Sequence, residues 1–87
     1  MATVWIPPLL RDLTGGTPTV SADGASVRQL VDALEGLYPG IKARLCQADS
    51  LRPGMTVVVD GLVAPLGLLQ VVKPDSEVHF LPAIGGG

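Results

Sequence analysis

Cysteine occurs once in the 87 residues, at Cys46, and histidine once, at His79. A single cysteine excludes an internal disulfide framework and any thiolate zinc or iron–sulfur centre. A single histidine excludes a multi-histidine metal site. Aromatic residues are equally scarce: Trp5, Tyr38 and Phe80 are the only three. That is too few for a base-stacking platform. Positive charge is not in excess either, because six Lys and Arg face eight Asp and Glu. Nucleic-acid binding therefore has no electrostatic support. Uninterrupted apolar runs such as Val57-Val58-Val59 are far short of the ~20 residues of a membrane span. No charged segment followed by an apolar stretch opens the chain, which predicts a cytoplasmic protein with no secretory leader and no membrane partner.

What is present is a hydrophobic content of 47% and a mean hydropathy of +0.45. A chain of this length holds one core and buries a modest share of its surface. So high a hydropathy therefore points to apolar surface kept for a partner.

The chain alternates short strands with one helix. Thr3-Val4-Trp5-Ile6 reads as a strand that Pro7-Pro8 ends. Leu9 to Leu13 connects it to the Thr14-Gly15-Gly16 turn. Thr17 to Ser21 reads as a second strand, with Pro18 marking an edge. Ser26 and Gln29 form a capping box. Behind them, Val27, Leu30, Val31, Leu34, Leu37 and Tyr38 fall on one helical face, whereas Arg28, Asp32 and Glu35 lie off it. Pro39-Gly40 ends the helix, and Ile41 with Leu45 suggests one further helical turn. Gln47 to Gly54 reads as a polar loop. Met55 to Val59 reads as a strand covered on both faces, and Asp60-Gly61 as a type I′ turn returning through Leu62-Val63-Ala64. Pro65 to Val72 holds a helical turn, and Lys73 to Ser76 a tight turn. Glu77 to Leu81 alternates, with Val78 and Phe80 on one side. One helix must then cover one mixed sheet, an α+β fold.

The ending carries the chemistry. Gly85, Gly86 and Gly87 follow the last strand closely. At average glycine usage, a Gly-Gly end arises by chance in roughly 0.5% of chains. An arm without side chains threads a narrow channel into another protein. It delivers the Gly87 carboxylate, which is ionised at neutral pH. A carboxylate is a poor electrophile, but it can attack an activated phosphate. Acyl adenylation then makes it an acyl donor, and a sulfur nucleophile leaves a thiocarboxylate.

This order with its glycine ending resembles the β-grasp, ubiquitin-like sulfur carriers of the ThiS/MoaD family. The resemblance spans essentially the whole chain. It rests on Ile6-Pro7-Pro8-Leu9-Leu10-Arg11 with Thr14-Gly15-Gly16, and on Leu34-Glu35 with Tyr38-Pro39-Gly40-Ile41. Pro74-Asp75-Ser76-Glu77-Val78 and the ending Leu81-Pro82-Ala83-Ile84-Gly85-Gly86-Gly87 complete it. The resemblance implies a β-grasp domain over 1–82, with a mixed sheet of four or five strands and one main helix. It implies a flexible tail over 83–87, with Gly87 as the adenylation and thiocarboxylate site and Ile84, Gly85 and Gly86 as the threading arm. The family ends on two glycines and this chain on three, so either the arm is one residue longer or Gly85 stands where the family varies; the second keeps the strand-to-tail spacing ordinary and is the favoured expectation.

The implied partner is a ubiquitin-activating-type adenylyltransferase that uses ATP and Mg²⁺; the carrier itself binds no cofactor and is not an enzyme. A sulfur-accepting synthase follows: cysteine synthase-like, the large subunit of molybdopterin synthase, or thiazole synthase-like. The ending looks most like the carriers of cysteine synthesis. A small subunit of molybdopterin synthase, a ubiquitin-like modifier of lysines and an inert interaction module are the competing readings. A monomer forming heteromers on demand is expected.

The remaining residues read plainly. Cys46 beside Leu45 reads as a small buried apolar residue rather than a persulfide relay. His79 reads as outward-facing and solvated. Asp12, Asp60 and Asp75 sit in turns. Gly15-Gly16 lacks the rest of a phosphate loop. Leu62, Leu66, Leu68, Leu69 and Val71 cannot all enter a core roofed by one helix. They are expected to form a partner-docking face, the alternative being that they fill the far end of the sheet.

Overall fold

The computed structural model describes residues 1–82. In chain order the elements are β1 (Ala2–Trp5), β2 (Thr19–Ala22), α1 (Val27–Leu37), α2 (Ile41–Leu45), β3 (Cys46–Gln47), β4 (Ser50–Leu51), β5 (Met55–Val59), β6 (Leu62–Val63) and β7 (Glu77–Pro82). Single 3-10 turns occur at Pro8–Leu10 and Gly67–Leu69. Five strands form the main sheet in the order β2-β1-β7-β5-β6, and β3 with β4 makes a separate two-stranded hairpin. β1 and β7 run parallel, and every other neighbouring pair of the sheet is antiparallel. The first and last strands therefore lie side by side at the centre. The sheet is mixed and one main helix covers it, as the sequence predicts. The expected tail, 83–87, lies outside the described residues.

The start of α1 is close to the expected capping box. Ser26 Oγ accepts from the Gln29 amide at 3.2 Å. The Gln29 side chain reaches one residue further back than the usual box, accepting from the Ala25 amide at 2.7 Å. Val27, Leu30, Val31 and Leu34 are all buried against the sheet. Leu37 departs from the prediction, being 58% exposed. It sits on the margin of the stripe in the final turn, and the backbone leaves helical geometry at Tyr38. Tyr38 takes the half-buried position instead.

Glu35, off the apolar stripe, holds the next element. Its carboxylate accepts from the Gly40 amide at 3.0 Å and the Lys42 amide at 2.9 Å. It therefore caps the N-terminus of α2, whose own N-cap residue is a glycine with φ of 101° and no side chain to offer. The Gly40 and Lys42 amides hold the Glu35 carboxyl below its ordinary range. Ile41 and Leu45, fixed in this way, are fully buried.

Three further expectations are corrected and a fourth is met. The polar stretch 47–54 contains the β3–β4 hairpin, with Cys46 opposite Leu51 and Gln47 opposite Ser50. Two-residue strands are too short to show an alternating pattern. The second strand begins at Thr19, not Thr17, though it is an edge strand as Pro18 suggests. β5 is buried on one face only: Val57 and Val59 point into the core, while Thr56 and Val58 are half-buried. The sheet has a helical layer on one side, and among the described residues no second layer covers them. Asp60 and Gly61 both have positive φ, 51° and 85°, as a type I′ turn requires. Asp60 accepts from Ser76 Oγ at 2.8 Å and the Glu77 amide at 2.9 Å, tying this turn to the start of β7.

Two predictions follow from this packing. Leu34→Ala should lower unfolding stability by about 2–5 kcal/mol, and Leu37→Ala by less than about 0.5 kcal/mol, in matched urea titrations. Glu35 has a depressed folded pKa, so its contribution is present above the unfolded value and is lost as pH falls through the folded one. Stability should therefore begin to fall below about pH 5. Glu35→Gln should be less stable than the parent at neutral pH and show a shallower loss in acid.

Candidate functional site

The C-terminal strand sets where the tail leaves the body. Val78 and Phe80 are buried under α1, which pins β7 to the core. β1 pairs with Glu77, Val78 and His79 only. Beyond His79 the strand is held on one side, by β5, through Phe80↔Val57, Leu81↔Thr56 and Pro82↔Met55. β1 has already turned away at Pro7-Pro8. The tail root is therefore anchored along one edge and free along the other. Of the expected arm, Ile84, Gly85, Gly86 and Gly87 lie outside the described residues. The structure fixes the root, Pro82.

The face of the sheet away from α1 presents a row of aligned residues. Register places Thr19, Trp5, His79, Val58 and Val63 across five strands in succession. The rings of Trp5 and His79 stack, with centroids 5.0 Å apart and an interplanar angle of 7°. His79 points outward as expected, but it is half-covered by Trp5 rather than fully solvated. The pairing links residues distant in sequence and becomes visible only through strand register. With Leu81, which is 44% exposed, the row gives the sheet an apolar outer surface.

The leucines proposed as a docking face divide. Leu62, Leu66 and Leu69 are 75%, 60% and 67% exposed, joined by Val63 and Val71. Leu68 is 6% exposed and belongs to the core, which removes it from any docking face. The 3-10 turn at Gly67–Leu69 aims it beneath α1, while its neighbours point out. Backbone bonds clamp this segment to the start of α1: Val27 N to Gln70 O at 2.9 Å, and Val72 N to Ala25 O at 3.0 Å. Leu62 sits where β5 ends and β6 begins, opposite the Met55 end that faces Pro82, whereas Leu66 and Leu69 follow after β6 has run back alongside β5. The length of β5, roughly 14 Å between its first and last residues, separates Leu62 from Pro82.

Cys46 is buried, and burial raises its thiol pKa. A thiol so placed is a weak nucleophile at neutral pH, consistent with a packing role. Among the described residues no cluster of His, Cys, Asp or Glu could hold a metal ion. No described helix is long and apolar enough to cross a membrane.

A model described as the ThiS family matches residues 4–87. The chain belongs to the ThiS family. It is 34% identical over 90 residues to the sulfur carrier protein CysO of Mycobacterium tuberculosis, covering 98% of this chain and 97% of that protein. The crystal structure of the BexX/CysO complex of Amycolatopsis orientalis contains a chain that superposes with a TM-score of 0.90 at 38% identity, covering both chains completely. The crystal structure of Mycobacterium tuberculosis CysO gives a TM-score of 0.88 at 32% identity, over 97% of this chain and all of that one. These likenesses establish the β-grasp, ubiquitin-like fold. This ThiS-family chain is a homologue of a sulfur carrier protein, and the CysO relatives agree with the ending's resemblance to the cysteine-type carriers.

The division of the leucines is testable by mutation. Leu68→Ala should lower stability by about 2–5 kcal/mol. Leu62→Ser, Leu66→Ser and Leu69→Ser should each change it by no more than about 0.5 kcal/mol, as read by thermal unfolding.

Proposed function

We propose that the chain carries sulfur as a thiocarboxylate on Gly87. The Gly87 carboxylate attacks the α-phosphorus of ATP, pyrophosphate leaves, and an acyl adenylate forms. A hydrosulfide-equivalent nucleophile then adds to the acyl carbon, AMP departs, and the thiocarboxylate remains. An adenylyltransferase of the ubiquitin-activating type, with Mg²⁺, supplies this chemistry. The chain contributes the acyl group and no catalytic residue, and it holds no cofactor of its own. Ile84, Gly85 and Gly86 thread the arm into the partner. A sulfur-accepting synthase takes the sulfur, with a cysteine synthase-like enzyme or one playing the part of BexX as the leading class. A cytoplasmic location goes with this reading, because the activation step draws on ATP.

The observation that carries the proposal is a likeness to a sulfur carrier over the entire chain. It runs through the strand that bears the tail and through the glycine ending itself. The half-paired end of β7 supports it. Phe80 holds the strand in the core, and β1 pairs with β7 no further than His79.

The test is intact mass spectrometry after incubation with ATP, Mg²⁺, the adenylyltransferase from the same host and a sulfide source. Replacement of one oxygen by sulfur is expected, and deletion of Gly87 should abolish it. A mass that never changes in the presence of an activating enzyme competent on another carrier would overturn the proposal.

A further inference from the structure

Between the loop that follows β1 and the segment that opens β5 lies a groove of about 380 Å³. Pro7, Pro8 and Leu9 form one wall and Met55 belongs to the other, with Arg44 and Arg52 beside them. Leu9 is 81% exposed, so this wall offers apolar area that the core does not use. Pro7 and Pro8 have no amide hydrogen, so the wall cannot take up a strand through a backbone ladder. What it can offer a ligand is apolar contact and the two guanidiniums. Both are held in place. A terminal nitrogen of Arg44 donates to the Leu9 carbonyl at 3.1 Å, and one of Arg52 donates to the Ala43 carbonyl at 2.9 Å. Each guanidinium has five N–H donors, so donors remain.

The charge around the groove is one-sided. Among the described residues, Arg28 and Lys42 are ion-paired, to Asp49 and Asp32. Of the four other cations, Arg44 and Arg52 line the groove, and Arg11 stands on the same loop, its Nε donating to the Ile6 carbonyl at 3.1 Å. No acidic residue lines the groove. Glu35 borders the hollow on the other side of Arg52, but its carboxylate is taken by the Gly40 and Lys42 amides. In a chain of net charge −2, this is a local cationic spot on an apolar trough.

Such a trough suits a short protein segment that carries a carboxylate next to an apolar side chain. An arginine fork receives a carboxylate through paired hydrogen bonds. A nucleic-acid backbone needs a longer basic track than these side chains give. The groove also has a place in the fold. Met55 in its wall pairs with Pro82, the last residue of β7, and an enzyme that works on the chain's ending meets the body at that residue. Adenylation is common to the carrier and modifier readings, so the activating enzyme is the partner that both require.

We propose that this groove docks an acidic, apolar-flanked segment of the adenylyltransferase. Arg44 and Arg52 take its carboxylate, and Leu9 with the two prolines takes its apolar side chain. The inference rests on the adenylation reading and adds to it the contact by which the enzyme recognises the folded carrier. The groove supplies affinity and no chemistry, so its loss acts on KM and spares kcat. Salt weakens the same contact.

The test is pyrophosphate release by the adenylyltransferase from the same host, with ATP, Mg²⁺ and the full chain varied in concentration. Arg44→Glu and Arg52→Glu should each raise KM for the chain by about tenfold, and Leu9→Ser by about threefold, with kcat within about twofold of the parent. Lys73→Glu makes the same charge change in the turn before β7, away from the groove, and should leave both parameters unchanged. Methyl NMR of the unmutated chain with the enzyme and no ATP should broaden the Leu9 and Met55 signals and spare those of Leu62. Normal adenylation with KM unmoved in all three groove variants, or Leu9 and Met55 signals that ignore the enzyme, would overturn the docking site and leave the adenylation reading intact. No pyrophosphate release from the parent, with an enzyme active on another carrier, would overturn both.

Discussion

The parallel pairing of β1 with β7 is the constraint on which the rest of the molecule depends. Parallel neighbours cannot be joined by a tight turn, so the intervening chain must cross over and return. That crossover carries α1, whose apolar stripe roofs the sheet. It also carries β5, which supplies β7 with its other neighbour. Because β7 is central and not an edge, the residue that starts the tail is held by the best-packed part of the protein. The side chains of Val78 and Phe80 lock it there.

Much of this was legible in the sequence, and the reasons differ by element. α1 was visible because a stripe at helical spacing behind Ser26 and Gln29 admits one reading. Its last turn was misjudged at Leu37, because spacing alone does not tell where the chain leaves helical geometry. The Asp60-Gly61 turn was visible because few residue pairs accept two positive φ values. The β3–β4 hairpin was hidden by its brevity. Burial of β5 on both faces was inferred from a run of valines, yet residues pointing toward the open face can be apolar when another molecule is to cover them. The role of Glu35 was not readable, since its partners are backbone amides that carry no sequence signal.

The glycine ending was the easiest feature to notice, because it is written in the sequence itself. Glycine at the end of a chain has few structural purposes, so its repetition there is informative. The sorting of Leu62, Leu66, Leu68 and Leu69 was beyond the sequence. Four leucines in one stretch look alike until a 3-10 turn aims one of them inward.

The stacked pair of Trp5 and His79 has a practical consequence. The chain contains a single tryptophan, and that indole lies on the open face two residues from the point where β1 turns away from the tail. Its emission is sensitive to water and to the imidazole lying flat against it. Any macromolecule that settles on this face displaces the one and perturbs the other. The protein therefore carries its own optical gauge of occupancy on the open face of the sheet, and needs no dye.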